Sequence, residues 1–244
     1  FLSILTVDNR PGLRYNREKD KKEETAVFSM DGPLWRALNF IADVMILHFL
    51  WLIHSLPLVT IGASTTALYY AMMKRIRTNE GQVTGNFRKS FRENFRQATA
   101  LWLIAAAVGA VLWLDLNFCS TWESPAAKVM LAACALLLIP CWMAALYLFP
   151  VLAKFTGSTW DTFKNALLLS VRHLPLTLLL TAIWATAWLL PAVFPPFLGL
   201  MLISGGGLMA WITSYIYIQI FRAYLPDELR EDQRRTDNPW LHRD

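Results

Sequence analysis

The stretch "LPLVTIGASTTALYYAMM", residues 56–73, decides the fold because it interrupts the apolar character of its surroundings. Pro57, Gly62 and the hydroxyl residues 64–66 fall where a second long apolar helix would need continuity. Across the 244 residues, 55% are hydrophobic and 17% are charged, which is more apolar than a soluble domain of this length requires. The sequence therefore predicts an all-α polytopic membrane protein.

Five apolar runs are long enough to cross a bilayer, whose hydrocarbon core of about 30 Å needs about 20 residues per helix. These runs cover residues 34–56, 98–118, 129–150, 174–194 and 197–221. We predict a polar cytoplasmic segment at 1–30, a helical membrane domain at 31–223 and a polar cytoplasmic tail at 224–244.

The distribution of Lys and Arg predicts a return of the chain within residues 57–73. Residues 10–22 hold six Lys or Arg and residues 74–96 hold seven, so both segments belong on the inner side of the membrane. One crossing would separate them. We therefore predict six membrane segments, with the second a short or broken return segment and with both termini inside.

Two forms of the return segment fit the sequence, a short span or an extended strand that leads into a half-helix. The second form is favoured, because Gly62, Ser64 and Thr65 suit an irregular backbone followed by a helix N-cap. The helix would end in the cations of "KRIR", which suit a helix C-terminus.

Polar residues of the first span share one face at 100° per residue, and Asp43 is the most costly of them. A carboxylate at the bilayer centre costs roughly 2.5–3.5 kcal/mol on insertion scales. At about 1.5 Å per residue, its depth matches that of Ser64, so we predict that Asp43 caps the helix beginning near Ser64. An ion or substrate pathway is the alternative, and a metal site with His54 is the least favoured. The candidate polar membrane site is Asn39, Asp43, His54, Ser64 and Thr65.

The segment "NFRKSFRENFRQ", residues 86–97, predicts an interfacial helix on the inner side. Its aromatic and basic residues form adjacent ridges, with the rings at the acyl boundary and the guanidinium groups at phosphate height. This candidate surface for anionic lipid or partner docking is Phe87, Arg88, Phe91, Arg92, Phe95 and Arg96. A second interfacial helix is predicted from Trp160.

The sequence contains no motif for catalysis, cofactor binding or metal binding. Three cysteines at 119, 134 and 141 form neither a disulfide framework nor a zinc pattern. Nearly balanced charge in both tails gives little support to nucleic-acid binding. The small residues of "SGGGLMA", 204–210, indicate close helix packing, which is favoured over a ligand site.

The run 31–98 resembles the YesL-type family of small bacterial integral membrane proteins, a domain family of unestablished function. The resemblance rests on "GPL", "SLPLVTIGAST" and "FRKSFRENFRQ" as they stand in this sequence. It implies a multi-pass protein of the bacterial cytoplasmic membrane, associated with carbohydrate uptake, and it brings no catalytic residue.

Two hypotheses of function follow. The favoured one is a non-catalytic membrane accessory protein of bacterial carbohydrate uptake, which contacts transporter membrane subunits. The alternative is a small transporter or channel whose pathway lies near Asp43 and the helix start at Ser64 and Thr65. A wet cavity at Thr65 would favour transport, whereas a dry helix junction would favour the accessory role.

The topology is tested by placing a single cysteine at Gln82. Because residues 74–96 carry the basic residues that mark the inner side, we expect an impermeant thiol reagent to label this cysteine only from the cytoplasmic side. Labelling from outside would overturn the charge argument.

Overall fold

The computed structural model describes residues 33–79, 81–121 and 124–225, and these are helical apart from short connections. Eight α-helices occur in these ranges: α1 Pro33–Ser55, α2 Ile61–Thr78, α3 Val83–Ser120, α4 Pro125–Leu152, α5 Thr159–Arg172, α6 Leu174–Val193, α7 Pro196–Leu200 and α8 Gly206–Phe221. A π-helical turn, Met201–Gly205, joins α7 to α8. The predicted polar segment 1–30 lies outside the described residues, as do residues 226–244 of the predicted tail 224–244.

Five helical runs in the described part of the chain are long and apolar enough to cross a membrane. They are α1, α3, α4, α6 and the combined run Pro196–Phe221. The prediction of an all-α polytopic membrane protein is thereby confirmed. The helix α2 is not among the five, so the sixth crossing and the location of the termini stay predictions.

The chain divides into two compact units, residues 1–43 and 44–244. The described part of the first unit is the N-terminal portion of α1. The second unit contains the rest of α1 and all later helices.

The backbone of the opening stretch is helical almost throughout. Pro57 is extended, with φ −73° and ψ 108°, and one 3₁₀ turn, Leu58–Thr60, leads directly into α2. The predicted extended strand is therefore wrong, and the helix begins at Ile61 rather than near Ser64. The hydroxyl groups do not break the helix, because Ser64 and Thr66 donate to the carbonyls of the preceding turn.

Protein surrounds α2, which explains how so polar a helix fits into this chain. Eleven of its 18 residues are buried, whereas α6 buries only two of its 20. Protein neighbours, rather than lipid, therefore cover most of its surface. Hydropathy does not identify such a helix, since it measures suitability for lipid.

The helix α2 lies antiparallel to the first half of α3. At one end Lys74 Nζ donates to Asn86 Oδ1 at 3.1 Å, and at the other end Gly62 lies against the carbonyl oxygen of Ala98. The Trp102 indole donates to the Leu58 carbonyl at 2.8 Å. Beyond Trp102, α3 continues to Ser120, about 27 Å at the usual helical rise. Thus α2 accompanies the charged half of α3 and not its apolar half.

A buried tyrosine cluster joins four helices of the second unit. Tyr217 lies edge-to-face with Tyr69 and Tyr147, with ring centroids 5.4 and 5.6 Å apart. Each hydroxyl is bonded: Tyr69 to Thr213 at 3.2 Å, Tyr147 to Thr177 at 2.9 Å and Tyr217 to the Leu146 carbonyl at 2.7 Å. The cluster combines aromatic packing with satisfied polar tips, and it ties α2 to α4, α6 and α8.

Close packing explains two of the three consecutive glycines. A Cβ at Gly207 would collide with the Val44 carbonyl oxygen, and one at Gly206 would come within 2.9 Å of the Trp51 ring. The predicted role of "SGGGLMA" in close helix packing is confirmed at these two positions. Gly205 meets only the flexible side chain of Met201.

Gly62→Ala and Gly207→Ala are expected to destabilise the protein. Each new methyl group would meet a backbone carbonyl, and overpacking of this kind typically costs about 1–3 kcal/mol. The matched control is Gly109→Ala in α3, where nothing lies within 4 Å of the added Cβ and helix propensity favours Ala by up to about 1 kcal/mol. Thermal unfolding in detergent should show lower midpoints for the first two variants only. Equal midpoints for all three would contradict the packing assignment.

Candidate functional site: a polar helix corner beside an apolar cavity

The corner between α1 and α2 is held by two side-chain hydrogen bonds. Trp51 Nε1 donates to Thr65 Oγ1 at 3.1 Å, and the hydroxyl groups of Ser55 and Ser64 lie 2.6 Å apart. Ser64 is fully buried. We call these four residues the polar corner. Because they hydrogen-bond to one another, the predicted site residues Ser64 and Thr65 make structural contacts here.

The predicted partnership of Asp43 with Ser64 loses its premise. The hydroxyl partner of Ser64 is Ser55, which follows Asp43 by twelve positions on α1, and the helix starts before Ser64. The helix thus starts three residues before the position that the depth comparison used. The cap itself is tested by none of these contacts and stays a prediction.

The two other polar candidates of α1 differ in their surroundings. Asn39 is exposed. His54 is half-buried, and its Nδ1 lies 2.8 Å from the Leu50 carbonyl oxygen. Its ring packs edge-to-face on Phe87 and Phe91, at 5.2 and 4.9 Å between centroids. The His54 ring therefore forms part of an aromatic contact between α1 and α3.

The predicted docking surface on α3 is only partly a surface. Residues 86–97 form the first part of one continuous 38-residue helix, not a separate interfacial helix. Phe87 is fully buried, Phe91 is half-buried and Phe95 is 37% exposed, so this ridge packs largely on protein. The arginine row, Arg88, Arg92 and Arg96, is exposed. The phenylalanine ridge faces the protein interior because the His54 ring packs on Phe87 and Phe91.

The second predicted interfacial helix, α5, does expose its apolar face. Trp160 is 61% exposed and Val171 is 52% exposed, while Ala166 and Ser170 on the opposite face are buried. A capping box starts this helix, with Ser158 and Asp161 bonded reciprocally. Hydrogen bonds from the Ser158 side chain and backbone lower the pKa of Asp161 below its ordinary value, because they stabilise the carboxylate.

His48 is a buried polar residue outside the candidate polar site that the sequence predicts. It is 2% exposed, and its Nε2 lies 3.0 Å from the Leu202 carbonyl oxygen, in the π-helical turn. Its Nδ1 has no hydrogen-bond partner among the described residues. A helical wheel of α1 alone could not show that His48 is buried. The residues that cover His48 are in the π-helical turn and at Gly206 and Gly207, 154 or more positions later in the sequence.

A cavity of about 680 Å³ lies beside the polar corner and is partly open. Its wall comes from α1, α2, α3, α4, α6 and the region 198–210. Five of the lining residues are tryptophans: Trp51, Trp102, Trp142, Trp184 and Trp188. Among the described residues, no Asp, Glu, Lys or Arg lines it. Sequence reasoning missed this cavity entirely.

Most polar groups at the cavity wall are already bonded within the protein. The indole N–H groups of Trp102 and Trp142 donate to Leu58 and Thr181, and Thr65 accepts from Trp51. The lining of the cavity therefore presents mainly apolar surface to the space beside it.

Residues 44–116 match the family model described as "Protein of unknown function, DUF624". The matched segment is that of a DUF624-type family protein. The matched segment contains the whole polar corner and residues 83–116 of α3. The resemblance read from the motifs of the sequence is thereby confirmed, and the family description assigns this DUF624-type chain no activity.

One curated relative is 28% identical over 185 residues, which cover 71% of this chain and 82% of the relative. It is described as "Uncharacterized protein YteU" of Bacillus subtilis (strain 168). No solved structure matches the DUF624-type chain. Within its described residues, no group of three or more His, Cys, Asp or Glu could hold a metal ion.

Thr65→Val is expected to destabilise the corner. Valine keeps the shape of threonine but leaves the Trp51 indole without its acceptor, which typically costs about 1–3 kcal/mol for a buried donor. The matched control is Thr186→Val, where an exposed hydroxyl bonds only to the Ala182 carbonyl of its own helix. Thermal unfolding midpoints should fall for Thr65→Val and stay near wild type for the control. Unchanged stability in both would show that the corner bond is dispensable.

Proposed function

We propose that this DUF624-type chain is a non-catalytic accessory protein of the bacterial plasma membrane, which supports carbohydrate uptake by contacting transporter membrane subunits. The observation that carries the proposal is the closed polar corner. Ser55, Ser64, Trp51 and Thr65 bond to one another, so these side chains are engaged in structural contacts between α1 and α2. The link to carbohydrate uptake rests on the resemblance to the YesL-type family.

The inner-side contact surface of the proposal is the arginine row together with the exposed face of α5. Arg88, Arg92 and Arg96 are exposed along one helix face, and Trp160 and Phe163 stack on each other at 5.7 Å between centroids. Arginine and aromatic residues are enriched at protein interfaces, and arginines also attract anionic lipid head groups. We propose that both lipid and partner subunits bind here.

The alternative function, a small transporter or channel, has one observation in its favour. Thr65 lines the large cavity beside the corner. A pathway for a hydrophilic solute needs polar groups that replace its hydration, and the part of the chain that the structure describes contributes no Asp, Glu, Lys or Arg to the cavity wall. The accessory role is therefore the better supported of the two.

Affinity purification from the native membrane in mild detergent tests the accessory role. We expect stoichiometric recovery of transporter membrane subunits with the wild-type chain. The variant R88Q/R92Q/R96Q should lose most of this recovery, since it removes the charge of the arginine row. The control K128Q, at the start of α4, should recover the subunits as wild type does.

Recovery of the chain alone would argue against the accessory role. In that case, uptake of a labelled sugar by liposomes containing only this chain would identify it as a transporter. Equal recovery with R88Q/R92Q/R96Q would place the contact on another surface.

A further inference from the structure

We propose that the cavity beside the polar corner holds one acyl chain of a membrane phospholipid as a resident ligand. The inference goes beyond the proposed function and does not depend on it, because it concerns the interior of the helix bundle. It follows from the mouth of the cavity, the chemistry of its wall and its volume.

The mouth of the cavity opens toward hydrocarbon. Leu52, Trp188 and Leu202 line the cavity and are themselves 42%, 74% and 68% exposed, which marks the side on which it opens. These residues belong to three of the runs that are long and apolar enough to span a membrane. Large apolar side chains exposed on membrane-spanning helices face lipid tails, so a tail can enter without leaving its own environment.

The inner wall suits a flexible apolar chain. Leu146 and Met209 at this wall are each 8% exposed, and Ala210 is 1% exposed, so the cavity reaches well into the bundle. Met201 and Met209 add thioethers, which adapt to irregular apolar shapes. The volume of about 680 Å³ falls within the roughly 300–1,000 Å³ of typical ligand pockets.

The wall excludes other occupants. Water needs two to four polar partners, and apolar cavities stay dry. A sugar needs several hydrogen-bonding groups, whereas three of the five indole N–H groups at the wall, those of Trp51, Trp102 and Trp142, already donate within the protein. His48 Nδ1, which has no partner among the described residues, is one buried nitrogen and does not make such a set. Since the described residues that line the cavity include no Lys or Arg, the phosphate head group stays outside the mouth and only the acyl chain enters.

Photo-crosslinking of the wild-type chain tests where the acyl chain lies. The full chain is reconstituted in vesicles containing a phospholipid with a photoactivatable group near the end of one acyl chain, and adducts are mapped by peptide mass spectrometry. We expect adducts on Met209 and Leu146 of the inner wall. Adducts confined to lipid-facing positions such as Leu103 and Leu178, which are 48% and 69% exposed, would overturn the proposal.

Retention of lipid provides the second test. The chain purified in mild detergent should retain about one phospholipid per molecule, measured by mass spectrometry of the extracted lipid. Ala187→Phe places a ring in the cavity, and retained lipid should fall about tenfold, which corresponds to about 1.4 kcal/mol. The matched control, Ala185→Phe, lies on the same helix away from the cavity and should retain lipid as wild type does.

Several outcomes of the retention test would contradict the proposal. Equal retention by both variants would show that bound lipid lies elsewhere. A wild-type chain without phospholipid, or one that retains a prenyl lipid instead, would equally overturn the assignment of an acyl chain. If Ala187→Phe does not fold, the crosslinking of the wild-type chain still decides.

Discussion

Enclosure of α2 by protein is the constraint on which the rest of this structure depends. The helix carries hydroxyl residues in its first turns and cations in its last turn, so lipid is a poor environment for it. Its neighbours replace lipid by packing closely, with the Ala98 carbonyl seated on Gly62. Tyr69 then anchors it through Thr213 and Tyr217 to α8. A polar helix thus becomes the core of an apolar chain.

The cavity follows from the position at which α2 begins. Its N-terminus lies beside Ala98 and Trp102, while α3 runs on to Ser120. Ile61, Thr65 and Leu68 of the first turns of α2 line one side of the cavity, and α4, α6 and the region 198–210 line the others. Beyond the N-terminus of α2, where this helix no longer lies beside α3, large aromatic side chains border an apolar space. The same helix start therefore places the polar corner and the apolar cavity next to each other.

The proposed functions follow from this division of chemistry. Polar groups that could have handled a solute are used to turn the chain between α1 and α2. The side chains that line the cavity are mainly aromatic and aliphatic. Most of the hydroxyl, indole and imidazole groups among them bond within the protein. Charged side chains accumulate instead along the exposed arginine row of α3. The molecule is thus better suited to contacts with lipid and with other membrane proteins than to passage of a hydrophilic solute.

Some features of the site could be predicted from the sequence, because they depend on neighbours along the chain. The apolar runs, the amphipathic α5 with its exposed Trp160, and the basic residues at the end of α2 all follow from local periodicity and composition. The identity of the family also follows from local motifs within residues 44–116. The small residues at 204–210 correctly indicated close packing.

Other features could be decided only by tertiary structure. The ring of Phe87 is buried because His54 packs on it, and His48 is buried because Gly206 and Gly207 allow α1 to approach. The helical wheel treats each helix alone and cannot supply these partners. By itself, the sequence determined a helical membrane protein and the polarity of each segment, since these depend on composition and local spacing. Tertiary structure alone decided which polar residues were consumed in structural contacts and where a cavity remained, because both depend on the approach of helices distant in sequence.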